Sequence, residues 1–160
     1  MITFQSPTDF PKGTVSQLLT ESYGSLVNKT ETWTRLVKQF NDADELVHTR
    51  PEVARCTFIT KKNGKPIGLG CFDPRDPEYG IIGHNCIIPS EQGNGYGQQQ
   101  IKEIFNRLRK HKIRKARVST GAGKFAAPAR QMYEACGFTE TRRFKDDGWE
   151  EDMVEYEVEL

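Results

Sequence analysis

The amino-acid sequence predicts an α/β protein, and three observations support this fold class. Apolar runs of strand length alternate along the chain with stretches whose apolar residues recur every three or four positions. Hairpin signals early and late in the chain bracket a central strand–helix–strand unit. The 160 residues contain no linker, repeat or low-complexity stretch, so we assign 1–160 to a single domain with one hydrophobic core.

The first fifty residues are predicted to form one strand and two helices. Met1–Gln5 alternates like a short strand, and Pro7–Gly13 has the composition of a turn. A first helix follows, and five residues at helical spacing form its apolar side: Val15, Leu18, Leu19, Tyr23 and Leu26. A second helix is predicted over Glu31–Phe40, where one side carries Trp33, Leu36, Val37 and Phe40.

Three strands are predicted next. Arg55–Thr60 and Pro66–Phe72 are apolar runs on either side of Asn63-Gly64, a pair that tolerates the positive φ angles of a tight hairpin. A loop rich in proline and glycine separates them from the third apolar run, Ile81–Ile88. These strands therefore begin with an antiparallel hairpin.

The second half of the chain alternates between helices and strands. After a loop that ends at residue 97, four residues spaced as i, i+3, i+4 and i+7 predict an amphipathic helix: Ile101, Ile104, Phe105 and Leu108. A strand is predicted at Ala116–Thr120, followed by a helix that begins near Pro128 and stops at Cys136-Gly137. Phe138–Phe144 and Met153–Leu160 are predicted to close the fold as a hairpin.

Composition excludes several classes of protein. Apolar residues make up 36% and aromatic residues 10% of the chain, which is typical neither of disordered nor of membrane proteins. No apolar run approaches the ~20 residues that span a bilayer, and the first residues do not resemble a signal peptide. The four cysteines lie far apart without a CxxC pair, which favours free thiols over disulfides or a zinc site. We therefore expect a cytoplasmic protein that binds neither a metal nor a membrane.

The net charge of +1 conceals two charged segments. Eight Lys or Arg and one acid lie between Lys102 and Arg117, whereas eight acids and no base lie between Asp146 and Glu159. Both segments are interpreted as solvated faces, although the basic one is also suited to attract a phosphorylated ligand. Nucleic acid is not expected as a partner, because the acidic segment would repel it and no aromatic–basic alternation occurs.

The most informative segment is Ile87–Gly97, which connects an apolar strand to the amphipathic helix. Its glycines let the backbone turn tightly and approach a ligand without a Cβ in the way. The helix that follows offers free N–H groups and the positive end of its dipole, which together suit a phosphate. A dinucleotide-binding fingerprint does not fit, because Gln98 stands where its third glycine belongs. A Walker loop at Gly123-Lys124 does not fit either, because Phe125 replaces its Ser or Thr.

Three motifs in this half of the chain occur in the order of a known family. Gln92-Gly93-Asn94-Gly95-Tyr96-Gly97 matches the pattern Q/R-x-x-G-x-G/A, and the apolar strand end Ile87-Ile88-Pro89 precedes it. Met132-Tyr133-Glu134-Ala135-Cys136-Gly137-Phe138, about forty residues later, is similar to L-Y-x-x-x-G-F. From Cys56 to Leu160 the sequence thus resembles the GNAT superfamily of N-acetyltransferases. The resemblance implies a mixed, mostly antiparallel sheet of about seven strands, flanked by about four helices, with a splayed slot between the fourth and fifth strands.

The resemblance also implies a reaction and a cofactor site. An acetyl group would pass from acetyl-CoA, a co-substrate, to a primary amine by direct attack through a tetrahedral intermediate, without a metal. The backbone of Ile87 and Ile88 would hold the pantetheine arm. The pyrophosphate would lie on the backbone N–H groups of Gln92, Gly93, Asn94, Gly95, Tyr96 and Gly97.

Catalytic candidates follow from the same resemblance. Tyr133 matches the tyrosine that protonates the leaving thiolate, although packing over the slot is an alternative role. Family members often carry a glutamate base on the strand that holds Ile81–Ile88, but no acid occurs there. The candidates for the base are therefore Asn85 acting through a water, His84 on the opposite face of the strand, and Glu78 just upstream.

One position departs from the family pattern, and the acceptor and assembly state stay open. Ala126 replaces an asparagine that contacts pantetheine in many family members, so this contact is missing or supplied by another residue. The acceptor is expected to be a small-molecule or peptide amine, and a homodimer is retained as one assembly state. The alternative function is a non-catalytic module with the same fold that binds acyl-CoA without turnover.

Overall fold

The computed structural model describes residues 1–26, 30–147, 149 and 151–160. Their strands are β1 (Ile2–Gln5), β2 (Thr57–Lys62), β3 (Lys65–Asp73), β4 (Tyr79–Ile87), β5 (Lys115–Gly121), β6 (Thr139–Phe144) and β7 (Met153–Glu159). Their α-helices are α1 (Thr14–Ser22), α2 (Thr30–Thr49), α3 (Pro51–Arg55), α4 (Tyr96–Lys110) and α5 (Ala127–Ala135). Short 3-10 turns occur at Pro7–Asp9, Gly24–Leu26 and Pro89–Glu91.

The seven strands follow the order β1-β2-β3-β4-β5-β7-β6 in one mixed sheet. Pairing is antiparallel between β1 and β2, β2 and β3, β5 and β7, and β6 and β7, and parallel between β4 and β5. The β4–β5 ladder pairs Tyr79–Ile81 with Lys115–Arg117. The predicted α/β fold with a mostly antiparallel sheet is confirmed.

The chain divides into two compact units. Unit 1 consists of Met1–Cys71 and His84–Tyr96, and unit 2 consists of Phe72–Gly83 and Gly97–Leu160. The chain passes between the units inside β3, inside β4 and at the start of α4. The division therefore falls within secondary-structure elements and not within linkers.

In unit 1 the helices differ from the prediction. The first ends at Ser22, so Leu26 lies in a separate 3-10 turn, and the second continues to Thr49 instead of stopping at Phe40. The helix continues through the polar residues after Phe40, and one of them, Asp44, is buried inside unit 1. Its carboxylate is 7% exposed and accepts the backbone N–H groups of Gly13 at 2.9 Å and Ser16 at 3.0 Å. Asp44 thus caps α1 from a neighbouring helix.

The helix α3 was not predicted, and a proline explains its boundary. Arg50 adopts extended φ and ψ angles of −124° and 104°, as the residue before a proline prefers, so α2 ends there. Pro51 then starts α3, where its missing N–H needs no partner. The described residues consequently form five α-helices, one more than expected, and the first strand of the central hairpin starts at Thr57 instead of Arg55.

The central hairpin and the helix of unit 2 match the prediction closely. Asn63 and Gly64 have φ angles of 50° and 84°, as the tight turn between β2 and β3 requires. On α4, Ile101, Ile104 and Leu108 are fully buried, and Phe105 is 8% exposed. The predicted apolar stripe is therefore the side by which α4 packs.

The charged segments are not simply two solvated faces, because part of them pairs within unit 2. In the β5–β7 ladder, Arg117 lies 2.6 Å from Glu157 through Nη2. Glu155 is only 6% exposed and lies 3.2 Å from Arg142 of β6. Burial opposes ionisation of Glu155, but hydrogen bonds from Arg142 and Thr141 outweigh it and lower the pKa of this carboxyl. The acidic strand is thereby neutralised in part by the basic strands beside it.

Candidate active site

The end of β4 and the segment after it lie in unit 1 and are held by internal hydrogen bonds. Ile87 and Ile88 are 8% and 3% exposed, and the Ile88 N–H donates to the Ile67 carbonyl at 2.8 Å. The side chain of Gln92 turns back and donates through Nε2 to the Ile87 carbonyl at 2.8 Å. Gln92 therefore fixes the path of the chain as it leaves the strand.

The turn at Gln92–Gly97, called the glycine turn below, needs two of its glycines for their conformation. Gly93 and Gly95 have φ angles of 79° and 80°, in the left-handed region that other residues rarely adopt. A Cβ at either position would meet no atom within 4 Å, so the surroundings of both glycines are open. The requirement at these two positions is therefore conformational.

The hydrogen bonds of the glycine turn leave its central amides unused. The Gln92 N–H donates to the Pro89 carbonyl at 3.3 Å, and the Asn94 side chain donates to the Glu91 carbonyl at 3.1 Å. Gly93, Asn94 and Gly95 lie outside the helices and strands. Their backbone N–H groups donate to no acceptor in the described parts of the chain. Helix α4 begins directly after them, and its first N–H groups also lack intrahelical partners. Unused backbone donors next to a helix N-terminus are chemically suited to an anion.

Gly97 serves a different purpose from the other two glycines. It lies in the first turn of α4, and a Cβ built there would approach the Sδ of Met132 on α5 to 2.6 Å. Both residues belong to unit 2. The small size of the third glycine therefore leaves room for the Met132 side chain.

One cation beside the glycine turn was missed by the sequence analysis. Lys62, at the end of β2, lies 2.9 Å from Glu91 through Nζ. Hydrogen bonds to Glu91 and to the Tyr96 side chain raise the pKa of Lys62. Lys62 thus connects to residues on both sides of the glycine turn. Strand alternation marks it only as one of several surface lysines, so no sequence signal distinguishes it.

Of the three candidate bases, His84 has the most distinctive surroundings. Its ring contacts Phe40 edge to face, with the ring centroids 6.2 Å apart, and burial lowers the pKa of the imidazole. No residue in the described ranges forms a hydrogen bond with it. Asn85 is half-buried on the same strand, and Glu78 is exposed in the loop of unit 2 before β4.

Tyr133 is a buried residue of unit 2. It is 4% exposed, and its ring centroid lies 5.5 Å from that of Phe138 and 6.2 Å from that of Tyr156. Its carbonyl accepts the Phe138 N–H at 3.0 Å, where Gly137 turns the chain with a φ of 95°. The motif around Tyr133 therefore ends α5 and carries the tyrosine into an aromatic cluster.

The segment between β5 and α5 is held by an arginine that the sequence analysis did not select. Arg130 donates through Nη1 to the carbonyls of Gly121 at 2.6 Å and Gly123 at 2.7 Å. Ala126, which replaces the family's asparagine, lies at the start of α5 and forms no side-chain cap. Among the described residues, no group of three or more His, Cys, Asp or Glu could hold a metal ion. No helix in the same residues is long and apolar enough to cross a membrane.

Comparisons with known proteins identify a family from the sequence and similar folds among solved structures. The model of the Acetyltransferase (GNAT) family matches residues 14–138. A GNAT-family structure from Desulfovibrio desulfuricans aligns with a TM-score of 0.76 at 18% identity over 99% of both chains. A GNAT family acetyltransferase from Elizabethkingia anophelis, solved with acetyl-CoA bound, gives 0.63 at 18% identity over 99% of this chain and 98% of the other.

A third structural relative acts on a protein. The ribosomal-protein-S18-alanine N-acetyltransferase of Escherichia coli aligns with a TM-score of 0.68 at 15% identity, over 99% of this chain and 94% of the other. At such identities the likeness establishes the fold. No protein with a curated function matches the sequence significantly.

Proposed function

Because the chain belongs to the Acetyltransferase (GNAT) family, we propose that it transfers an acetyl group from acetyl-CoA to a primary amine. The observation that carries this proposal is the glycine turn, in which the amides of Gly93, Asn94 and Gly95 have no internal acceptor among the described residues. These amides and the first turn of α4 bind the pyrophosphate of acetyl-CoA. The open space at the Cβ positions of Gly93 and Gly95 is consistent with such a ligand.

The remaining residues of the turn hold it in shape. Gln92 anchors the turn to the carbonyl of Ile87, while Lys62 contacts Glu91 and Tyr96. In this proposal the backbone of Ile87 and Ile88 lies beside the pantetheine arm. The Ile88 N–H is not available to it, because that group donates to the Ile67 carbonyl, and the Ile87 carbonyl already accepts a hydrogen bond from Gln92. A positioned thioester is attacked directly by the amine, and holding the two in line contributes much of the rate.

Proton transfer in this proposal uses two side chains. His84 accepts the proton of the attacking amine, because its imidazole has a lowered pKa and is neutral near pH 7. Asn85, acting through a water, and Glu78 are the other candidates. Tyr133 donates a proton to the leaving thiolate, which the resemblance assigns to this position. No metal takes part.

The proposal is tested by measuring thiol release from acetyl-CoA with a panel of amines, alongside CoA binding by calorimetry. Tyr133→Phe is expected to lower kcat about 100-fold or more, as general acids commonly do, while the CoA dissociation constant stays unchanged. Tyr156→Phe is the matched control in the same aromatic cluster. If Tyr133→Phe turns over like the wild type, Tyr133 acts only in packing.

The second candidate function is a module that binds acyl-CoA without turnover. The absence of an acid from Tyr79–Ile87 and the burial of Tyr133 at 4% exposure favour it. Tight CoA binding by the wild type, with no thiol released by any amine in the panel, would select this function over the enzyme.

Four further expectations belong to the same proposal. Residues 1–160 work as one acetyltransferase domain, since the chain passes between the two units inside strands and a helix. The protein works in the cytoplasm, where the thiols of its four cysteines stay reduced. The acceptor is a small molecule or a peptide amine, and a homodimer is one assembly state to be tested by light scattering.

A further inference from the structure

A groove of about 340 Å³ lies in unit 1, between helices α1 to α3 and strands β2 to β4. This volume is within the range of small-molecule sites. Most of its lining is apolar, including Val15, Ala43, Leu46, Val47, Val53 and Leu69. Leu46 is 38% exposed and lies on the solvent side of the groove, whereas Val15, Val47 and Leu69 are 1–3% exposed and form its floor.

Two groups in the lining can recognise an amine. His84 lines the groove, and its ring has no hydrogen-bond partner in the described part of the chain. Asp42 also lines the groove, and its carboxylate is exposed and paired with Lys38 at 2.8 Å. An exposed ion pair of this kind contributes little to stability, so an ammonium group of a ligand can replace Lys38 beside the carboxylate. An apolar body with one amino group complements this combination of surfaces.

The groove also shares a strand with the proposed cofactor site. His84 and Ile87 both lie on β4, and Ile87 is followed by the segment that leads into the glycine turn. At ~3.3 Å per residue, three residues of strand separate the two positions by about 10 Å. Their side chains lie on opposite faces of the strand, so only the backbone of Ile87 is shared between the two sites. Both positions belong to unit 1, so the groove and the strand end are parts of one compact body.

We propose that this groove binds the acceptor, and that the acceptor is a small primary amine with an alkyl or aryl body. The inference rests on the proposed acetyl transfer and adds to it the chemical class of the acceptor. The apolar body lies against the side chains of α2 and β3, and the amino group lies at His84.

The test uses n-butylamine, n-pentylamine and n-hexylamine, titrated calorimetrically into the protein saturated with CoA. Each additional methylene buried in the groove is expected to tighten binding about fourfold. Putrescine, which carries a second ammonium group in place of the terminal methyl of n-pentylamine, is expected to bind more weakly than n-pentylamine. The same order is expected for kcat/KM in the thiol-release assay. A flat chain-length series would overturn the proposal.

Two variants locate the site. Ala43→Phe fills the groove and is expected to abolish the chain-length dependence, whereas Asn41→Phe places the same aromatic ring at an exposed position of α2 outside the lining. Leu46→Asn, at the exposed rim, is expected to reduce the gain per methylene without disturbing the fold. An equal effect of Ala43→Phe and Asn41→Phe, or none from Leu46→Asn, would argue against this groove.

The two proposals fail in distinguishable ways. The amine titration does not require turnover, so it measures amine binding to the groove even if no acetyl group is transferred. Chain-length-dependent binding without thiol release would refute the transferase and the acceptor role together, leaving an alkylamine-binding groove. Thiol release with polar amines and a flat alkyl series would refute the acceptor class alone.

Discussion

Replacing Gly95 by alanine tests the backbone geometry on which the cofactor site depends. Gly95 has a φ of 80°, and a Cβ there would meet no atom within 4 Å. The whole cost therefore comes from the left-handed conformation, about 1–2 kcal/mol for an L-residue. If the glycine turn of the ligand-free variant adopts another conformation and must return to the left-handed one on binding, CoA affinity falls about 5- to 30-fold. If the turn stays in place, the melting temperature falls instead, by about 2–4 °C per kcal/mol.

Calorimetry with CoA and thermal unfolding of the ligand-free protein together measure this cost. Gly95→Asn should lose less CoA affinity or thermal stability than Gly95→Ala, because asparagine tolerates the left-handed region better than alanine. Gly24→Ala is the control, since Gly24 also has open surroundings but no positive φ. Wild-type affinity together with a wild-type melting temperature in Gly95→Ala would refute the reasoning.

Three other changes test separate contacts. Asp44→Ala should cost about 1–3 kcal/mol in urea unfolding, because it leaves two backbone N–H groups of α1 without their acceptor, whereas the exposed Glu45→Ala should be nearly neutral. The folded pKa of His84 lies below its ordinary 6.5, so the unfolded chain binds more protons and stability falls as pH drops below about 6.5. His84→Phe should reduce the fall in the free energy of unfolding between pH 7.5 and 5.5. An unchanged fall in this variant would contradict the expectation. Lys62→Met should weaken CoA binding while Lys61→Met does not, and equal affinities in a CoA titration would exclude a role for Lys62 in shaping the turn.

The sequence predicted the elements whose signals are local. The hairpin at Asn63-Gly64 and the buried stripe of α4 were recognised because turn chemistry and helical spacing act within a few residues. The glycine turn was recognised for the same reason, and Gly93 and Gly95 have the positive φ angles that such a turn needs. The family model agrees with the resemblance drawn from these motifs.

Contacts between distant residues could not be predicted in the same way. The second helix was predicted to stop at Phe40, yet α2 continues to Thr49. Its residue Asp44 accepts hydrogen bonds from Gly13 and Ser16, about thirty positions earlier in the chain. Gly97 lacks the positive φ angle of Gly95, and its small size instead leaves room for the Met132 side chain.

The sequence by itself determined the class of fold, the family and the position of the candidate phosphate turn. Only the tertiary structure decided that Lys62 contacts both sides of that turn and that His84 lines an apolar groove. The physical reason is the distance along the chain between the residues that interact. Turn conformation and helical periodicity are set by neighbouring residues, whereas a cross-strand cation or a groove exists only once separate strands and helices have packed.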